Sequence, residues 1–200
     1  MTYTFPSTAR APATSALGST SPTRVSVSQS GKRNVRSNGV QRYSCKLTWQ
    51  NLTLAEARVI SAFVEKCRGQ YSNFTMALAD YLTPQGAWSG SPVVNAGSQT
   101  GYSLNLKGFT HSITGIVKAG DVFNITGDSK VYRAVSDANS DGSGNLTVAL
   151  AQPLMASPAD STAIISSNVQ FTFAAASDLF EAPVIPGMIY NLAMIVVEDC

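Results

Sequence analysis

The chain has 200 residues, 44% of them hydrophobic and only 13% charged, with a net charge of +2. That size supports one good core or two small ones; the low charged share fits a β-rich protein that meets other protein surfaces, and speaks against a cytosolic metabolic enzyme. The charge is also unevenly divided: residues 1–46 hold seven basic side chains and no acid, and the remaining 154 hold seven basic and twelve acidic ones.

A basic arm on an acidic body is expected to meet an acidic surface, such as a neighbouring copy of the same protein. The arm lacks interleaved aromatics and any nucleic-acid-binding motif, so direct nucleic-acid binding is not expected. No run approaches the roughly 18 apolar residues of a membrane helix, and no secretory signal is recognisable, so no membrane binding is expected either. The three cysteines, Cys45, Cys67 and Cys200, form no CxxC pair and suggest neither a disulfide framework nor a zinc site.

Residues 1–30 are rich in Ser, Thr, Ala and Pro, and such a segment cannot bury enough apolar area to fold alone. It is expected to be an extended or disordered arm, in which Val25 and Val27 alternate with Ser and can begin a strand. Gly31 to Asn38 reads as a basic hairpin or loop, and Val40 to Trp49 as a strand. Thr53 and Glu56 then form a capping box, satisfying each other's free backbone N–H groups at a helix start. Leu54, Ala57, Ile60, Val64 and Cys67 recur at helical spacing, with Phe63 beside them, so one face of a helix over 53–68 needs a core. Arg68 and Gly69 supply a C-terminal cation and a left-handed stop. Tyr71 to Leu78 reads as the strand that follows.

A break rich in Pro and Gly runs from Tyr81 to Pro92. After it, short strands are expected at 102–106, 114–118, 122–126, 130–135, 146–150 and 163–166, joined by turns at Gly127-Asp128 and Asp141–Gly144. Strands of this length and spacing suggest a small β-barrel or sandwich. Longer strands return at Gln170 to Ala174 and Met188 to Val197, separated by an irregular excursion. The second of these is almost continuously apolar and requires cover on both faces; the helix can supply one and a second copy the other.

The fold expected is mainly β (α+β). Residues 31–86 and 168–200 would form one discontinuous β-sandwich with the helix packed on it, and 87–167 an inserted β-barrel-like domain.

No catalytic constellation emerges. His111 is the single histidine, there is no nucleophile elbow, and the turn aspartates Asp121, Asp128, Asp137, Asp141 and Asp160 sit where turns favour Asp for backbone reasons. Asp137, Asn139 and Asp141 match the opening of an EF-hand calcium loop, but the position of its final Glu is Val148 and the flanks are strands. No metal, no cofactor and no enzymatic activity are therefore expected. Trp88, Tyr102, Phe109 and Tyr132 could stack on sugar rings if exposed, but core packing is the competing reading and the better supported one. Of these, Trp88 and Tyr102 are the candidate glycan contacts. Lys32, Arg33, Arg36 and Arg42, on the all-basic stretch before the core, are the candidate subunit or partner contacts.

Two stretches carry a family resemblance. A basic strand, a Trp-ended strand, the run Leu-Thr-Leu-Ala-Glu-Ala-Arg-Val-Ile-Ser-Ala-Phe-Val, a glycine at the helix end and a strand with Phe74 resemble the N-terminal unit of distal tail and minor tail proteins of long-tailed bacteriophages. The runs Gln99-Thr-Gly-Tyr-Ser-Leu-Asn-Leu, Lys118-Ala-Gly-Asp-Val-Phe, Lys130-Val-Tyr, Ser140-Asp-Gly-Ser-Gly-Asn, Pro153-Leu and Ser157-Pro-Ala-Asp resemble a small β module found in phage tail proteins. The resemblance implies a structural virion protein of the tail tip, made in the bacterial cytoplasm, that forms a ring, commonly hexameric, between tail tube and tip hub. It implies contacts with itself, with tube and with hub or fibre proteins. A glycan-binding role of the insert in host adsorption, or another tube or completion role, is the alternative.

Overall fold

The computed structural model describes residues 1–183 and 189–200, and the backbone of 184 and 185. The strands and the helix, in chain order, are β1 (Thr2–Thr4), β2 (Thr14–Thr20), β3 (Thr23–Val27), β4 (Arg33–Ser37), β5 (Arg42–Leu52), α1 (Leu54–Cys67), β6 (Asn73–Ala77), β7 (Gly90–Val94), β8 (Ser103–Phe109), β9 (Val122–Ile125), β10 (Val131–Arg133), β11 (Leu146–Ala149), β12 (Ile164–Ile165), β13 (Gln170–Ala175), β14 (Val184–Ile185) and β15 (Ile189–Glu198). The protein is thus mostly β with one α-helix, as its sequence suggests. Met188, expected to open the last long strand, lies outside the described residues.

The chain divides into two compact units: residues 1–20, 42–76 and 171–200 form the first, and 21–41 with 77–170 the second. The first is a sheet in the order β1-β6-β13-β15-β5-β2, with β14 added to β15. Along β5, Tyr43, Cys45, Leu47 and Trp49 are buried, and in register with them Leu192, Met194 and Val196 of β15 are buried too. Against this face packs α1, through Ala57, Ile60, Phe63, Val64 and Cys67. Its capping box is formed: the Glu56 N–H donates to Thr53 Oγ1 at 3.3 Å, and the Thr53 N–H to Glu56 Oε2 at 2.8 Å. The Thr53 N–H and the Thr53 hydroxyl, both donating to Oε2, with Arg10 nearby, hold the Glu56 carboxyl below its usual range. Burial pushes the Cys67 thiol pKa up, as suits a core residue. Arg68 and Gly69 both turn left-handed, and a side chain at Gly69 would meet Asp178 Oδ1 at 2.6 Å.

The first twenty residues are extended, but they are strands of this sheet instead of a free arm. Phe5 sits 5.3 Å edge-on from Phe63 and 6.1 Å in a stack with Trp49. The Trp49 indole donates to the Arg10 carbonyl at 2.9 Å, and β2 then pairs with β5 over its full length. One aromatic anchor and a backbone ladder order a segment whose composition offers no core of its own.

The second unit holds two three-stranded sheets, β10-β9-β12 and β11-β8-β7. Their edges meet only at single bridges, Ala134↔Leu150 and Val93↔Ala163, so among the described residues the expected barrel does not close as one continuous sheet. Leu104, Leu106, Ile116, Phe123, Tyr132 and Val148 are among the residues that fill its interior. Thr114 to Lys118 is not a strand; it makes one bridge, Val117↔Ala138. Residues 90–94, read as part of a break, form β7: Gly90 adopts φ 111° and the register shifts between Gly90 and Val93, which is how a strand carries both a glycine and Pro92. The hairpin β3–β4 groups with this unit; the compact units break after residues 20, 41, 76 and 170, beside the expected bounds of 30, 86 and 167.

Candidate assembly surfaces

The first unit's sheet buries one face. On the other, Thr14, Ala16, Gly18, Lys46 and Ala193 are exposed, and Ile195 beside them is 57% exposed. Most side chains here are small or β-branched: a Cβ on Gly18 would come within 3.1 Å of Ser44 Oγ, and the Thr14 and Thr48 hydroxyls bond across the ladder. Arg42 and Lys46 supply its positive charge. A flat, weakly charged face with an exposed isoleucine is the kind of surface that proteins cover by association.

The hairpin β3–β4 exposes both of its faces. One face bears Arg24 opposite Arg36 and Ser26 opposite Asn34; the other bears Val25 opposite Val35 and Val27 opposite Arg33. Its turn is held by Ser28, whose N–H donates to the Lys32 carbonyl at 2.9 Å and whose hydroxyl accepts the Lys32 N–H at 3.1 Å. Residues 21–41 carry four basic side chains and no acid. Like charges directly opposite each other destabilise a ladder, and a lone two-stranded hairpin is marginal in water. Where the hairpin meets the second unit's body, Lys130 is fully buried and its Nζ donates to the Gln41 carbonyl at 2.8 Å and to Gln41 Oε1 at 3.0 Å. The candidate contacts Lys32, Arg33 and Arg36 therefore belong to this hairpin, while Arg42 lies at the start of β5 in the first unit. Val25, Val27 and Val35, which are 47%, 65% and 54% exposed, were not among the contact candidates, although Val25 and Val27 were read as the start of a strand. The Val-Ser-Val alternation was the signal available.

The glycan candidates separate. Trp88 is a core residue: it is 6% exposed, packs on Phe123 and Phe109, and donates its indole N–H to Asp121 Oδ2 at 2.8 Å. Phe109 and Tyr132 are buried as well, whereas Tyr102 is 55% exposed. Asp121, itself buried, also accepts the N–H groups of Gln85, Gly86 and Lys118 at 2.7, 3.1 and 2.9 Å. Gly86 is required there, because a Cβ would stand 2.4 Å from the Ile116 carbonyl.

The side-chain oxygens of the calcium-like loop are taken up by backbone N–H groups and by Lys118. Asp141 Oδ1 accepts N–H groups from Ser143 and Asn145, and Asp137 bonds Lys118 Nζ and the Ala119 N–H. Asn139 Oδ1 accepts the Gly115 N–H at 2.6 Å. These bonds hold the Asp137 and Asp141 carboxyls below their usual range. Among the described residues no cluster of metal-ligating side chains occurs, and no helix is long and apolar enough to cross a membrane.

Residues 81–169 match the family described as distal tail protein pb9, B domain. The chain carries a distal tail protein domain of a phage. The matched stretch lies inside the second unit and contains the second set of motifs quoted above. With that domain the chain is a structural protein of a bacteriophage tail. No curated protein matches it. The B domain's buried Asp121 and its packed aromatics account for conformation rather than chemistry, and its exposed Tyr102 is the one candidate aromatic that reaches solvent.

Proposed function

We propose that the protein is a tail-tip component that assembles with copies of itself into a ring, six-fold by the resemblance, between the tail tube and the tip hub. Its work is done by interfaces and it is not an enzyme. The observation that carries this reading is the uncovered face of the first unit's sheet, centred on Ala193 and Ile195. A strand as apolar as β15 stays in water only if something covers its second face. The basic hairpin supports it, since Lys32, Arg33, Arg36 and, at the foot of the sheet, Arg42 suit the more acidic remainder of a neighbouring chain or of a tube or hub protein. Synthesis would be in the host cytoplasm and the final location the tail tip.

Light scattering of the purified protein, with negative-stain images of the same sample, tests the ring. A closed assembly near six copies supports it; a chain that remains monomeric at high concentration removes self-association from the reading. Charge reversal of Arg33 and Arg36 tests the contact residues: unchanged assembly would eliminate them. The second reading, glycan adsorption through the B domain, now depends on Tyr102, because Trp88 is withdrawn into the core. A glycan array with wild type and Tyr102→Ala decides it.

A further inference from the structure

The joint between β4 and β5 carries a reactive pair of residues. Most asparagines of the chain precede Val, Leu, Ile or Phe, whose side chains shield the next peptide nitrogen. The exceptions are Asn38, Asn95 and Asn139, which precede Gly39, Ala96 and Ser140. Two of these are locked. The Ala96 N–H donates to Asp160 Oδ1 at 2.8 Å. The Ser140 N–H donates to the Ile113 carbonyl at 3.0 Å, and Asn139 Oδ1 accepts the Gly115 N–H at 2.6 Å. Asn38 is different. It and Gly39 are exposed, and among the described residues its side-chain amide has no hydrogen-bond partner. The Asn38 main chain is held through its N–H, which donates to the Pro22 carbonyl at 3.1 Å. The Gly39 N–H reaches only the Ser37 hydroxyl, at 3.2 Å. Gly39 has φ 74°, and the place of a Cβ has nothing within 4 Å.

We propose that Asn38-Gly39 is a self-modification site, at which the asparagine converts to aspartate and isoaspartate without an enzyme. The Gly39 nitrogen gives its proton to hydroxide and bonds to Asn38 Cγ. The Cγ–Nδ2 bond breaks, and ammonia leaves, taking that proton back from water. The five-membered imide ring that remains adds one water and opens at either carbonyl. One opening gives aspartate; the other gives its isomer, in which the main chain runs through the side-chain carbon. One water enters, one ammonia leaves, and nothing is oxidised or reduced. Glycine leaves the attack open, because it has no Cβ to block the nitrogen and lets the backbone turn freely. Arg36 and Arg42 flank the pair, and positive neighbours favour the anionic nitrogen and the oxyanion that follows. The product puts a carboxylate into residues 21–41, which hold four basic side chains and no acid, so the charge of the hairpin segment falls by one. The reaction needs no second chain and is independent of the ring proposed above.

The test incubates the purified full-length chain in mildly alkaline and in mildly acidic buffer, with an unincubated sample digested in parallel. Trypsin cuts after Arg36 and Arg42, so residues 37–42 form one peptide with Asn38 as its single asparagine. The expected result is a gain of one mass unit in that peptide, faster in the alkaline buffer. Its two products separate on a column, and the isoaspartyl one is methylated by a protein isoaspartate methyltransferase. The intact chain elutes earlier from a cation exchanger, while Asn95 and Asn139 stay unchanged over the same period. Asn38→Gln, at an exposed position, should abolish the change, because the ring it would close is one atom larger; circular dichroism checks that the fold is kept. A native chain whose residue 38 stays unchanged overturns the proposal, and conversion of the same chain in denaturant would then show that the fold holds the pair out of reach. So does a conversion that appears first at Asn139 or Asn95, or a mass gain in residues 37–42 that persists in Asn38→Gln.

Discussion

The two units treat their apolar surface in opposite ways. The second closes on itself: its large aromatics Trp88, Phe109, Phe123 and Tyr132 are buried together, and a single carboxylate, Asp121, collects the N–H groups of the segment that enters the domain. The first closes one face with α1 and leaves the other, with Ile195, in solvent. The difference teaches where each does its work. A domain whose polar and apolar needs are met internally can be carried as a module, whereas a half-covered sheet is finished only by association.

That contrast can be broken at either end. The largest effect is expected from Phe63→Ala, which removes the ring that α1 lays against Phe5 and Phe74. It should cost about 3–5 kcal/mol, read as a lower unfolding midpoint for the first unit. Asp121→Ala leaves several buried donors without an acceptor and should cost ~3 kcal/mol, with amide exchange rising at residues 85–88 and 118–121. If the loss appeared in the first unit instead, the separation drawn here would fail. Thr53→Ala removes one half of the capping box and should cost ~1 kcal/mol by chemical denaturation. Ile195→Lys, on the open face, should change stability by less than about 0.5 kcal/mol while reducing self-association in light scattering. A destabilised monomer would show that the face is already covered within one chain.

A pH experiment sharpens the other side. Lys107 Nζ at 2.8 Å, the Ala96 N–H and Ser161 hold the Asp160 carboxyl down at about 2. A carboxyl whose folded value is depressed contributes stability above its unfolded value, near 3.9, and that contribution is lost as pH falls through about 2. Amide exchange at Ala96 should therefore rise relative to neighbouring loops between about pH 4 and 2, and the Lys107→Met variant should lose most of this dependence.

How much was legible follows from the range of the interactions. The helix was written in four neighbouring letters, Thr53 to Glu56, and in a local period. The turns at Gly127-Asp128 and Asp141–Gly144 were local as well. β1 and β2 were not, because polar and small residues become strands there only through partners far along the chain: Trp49, Phe63 and Thr48 fix them. Trp88 shows the same limit. Its letters favour a core without excluding a sugar platform, and what settles it is an acceptor at Asp121 and a ring at Phe123. Of the proposed contacts, the arginines of the hairpin stood out by charge. The exposure of the valines between them depends on register, which composition does not encode.

The strand order of the first sheet also sets a timetable. β15 lies at its centre, between β13 and β5, while β1 and β2 are its edges. Everything from residue 77 to 170 leaves the ribosome before that central strand does. The second unit can therefore fold while the first still lacks β13 and β15, which join its β1-β6 and β5-β2 pairs, and non-local pairing of this kind forms late. Until β15 inserts, the open face that carries Ala193 and Ile195 does not exist. Association through that face therefore waits for β15.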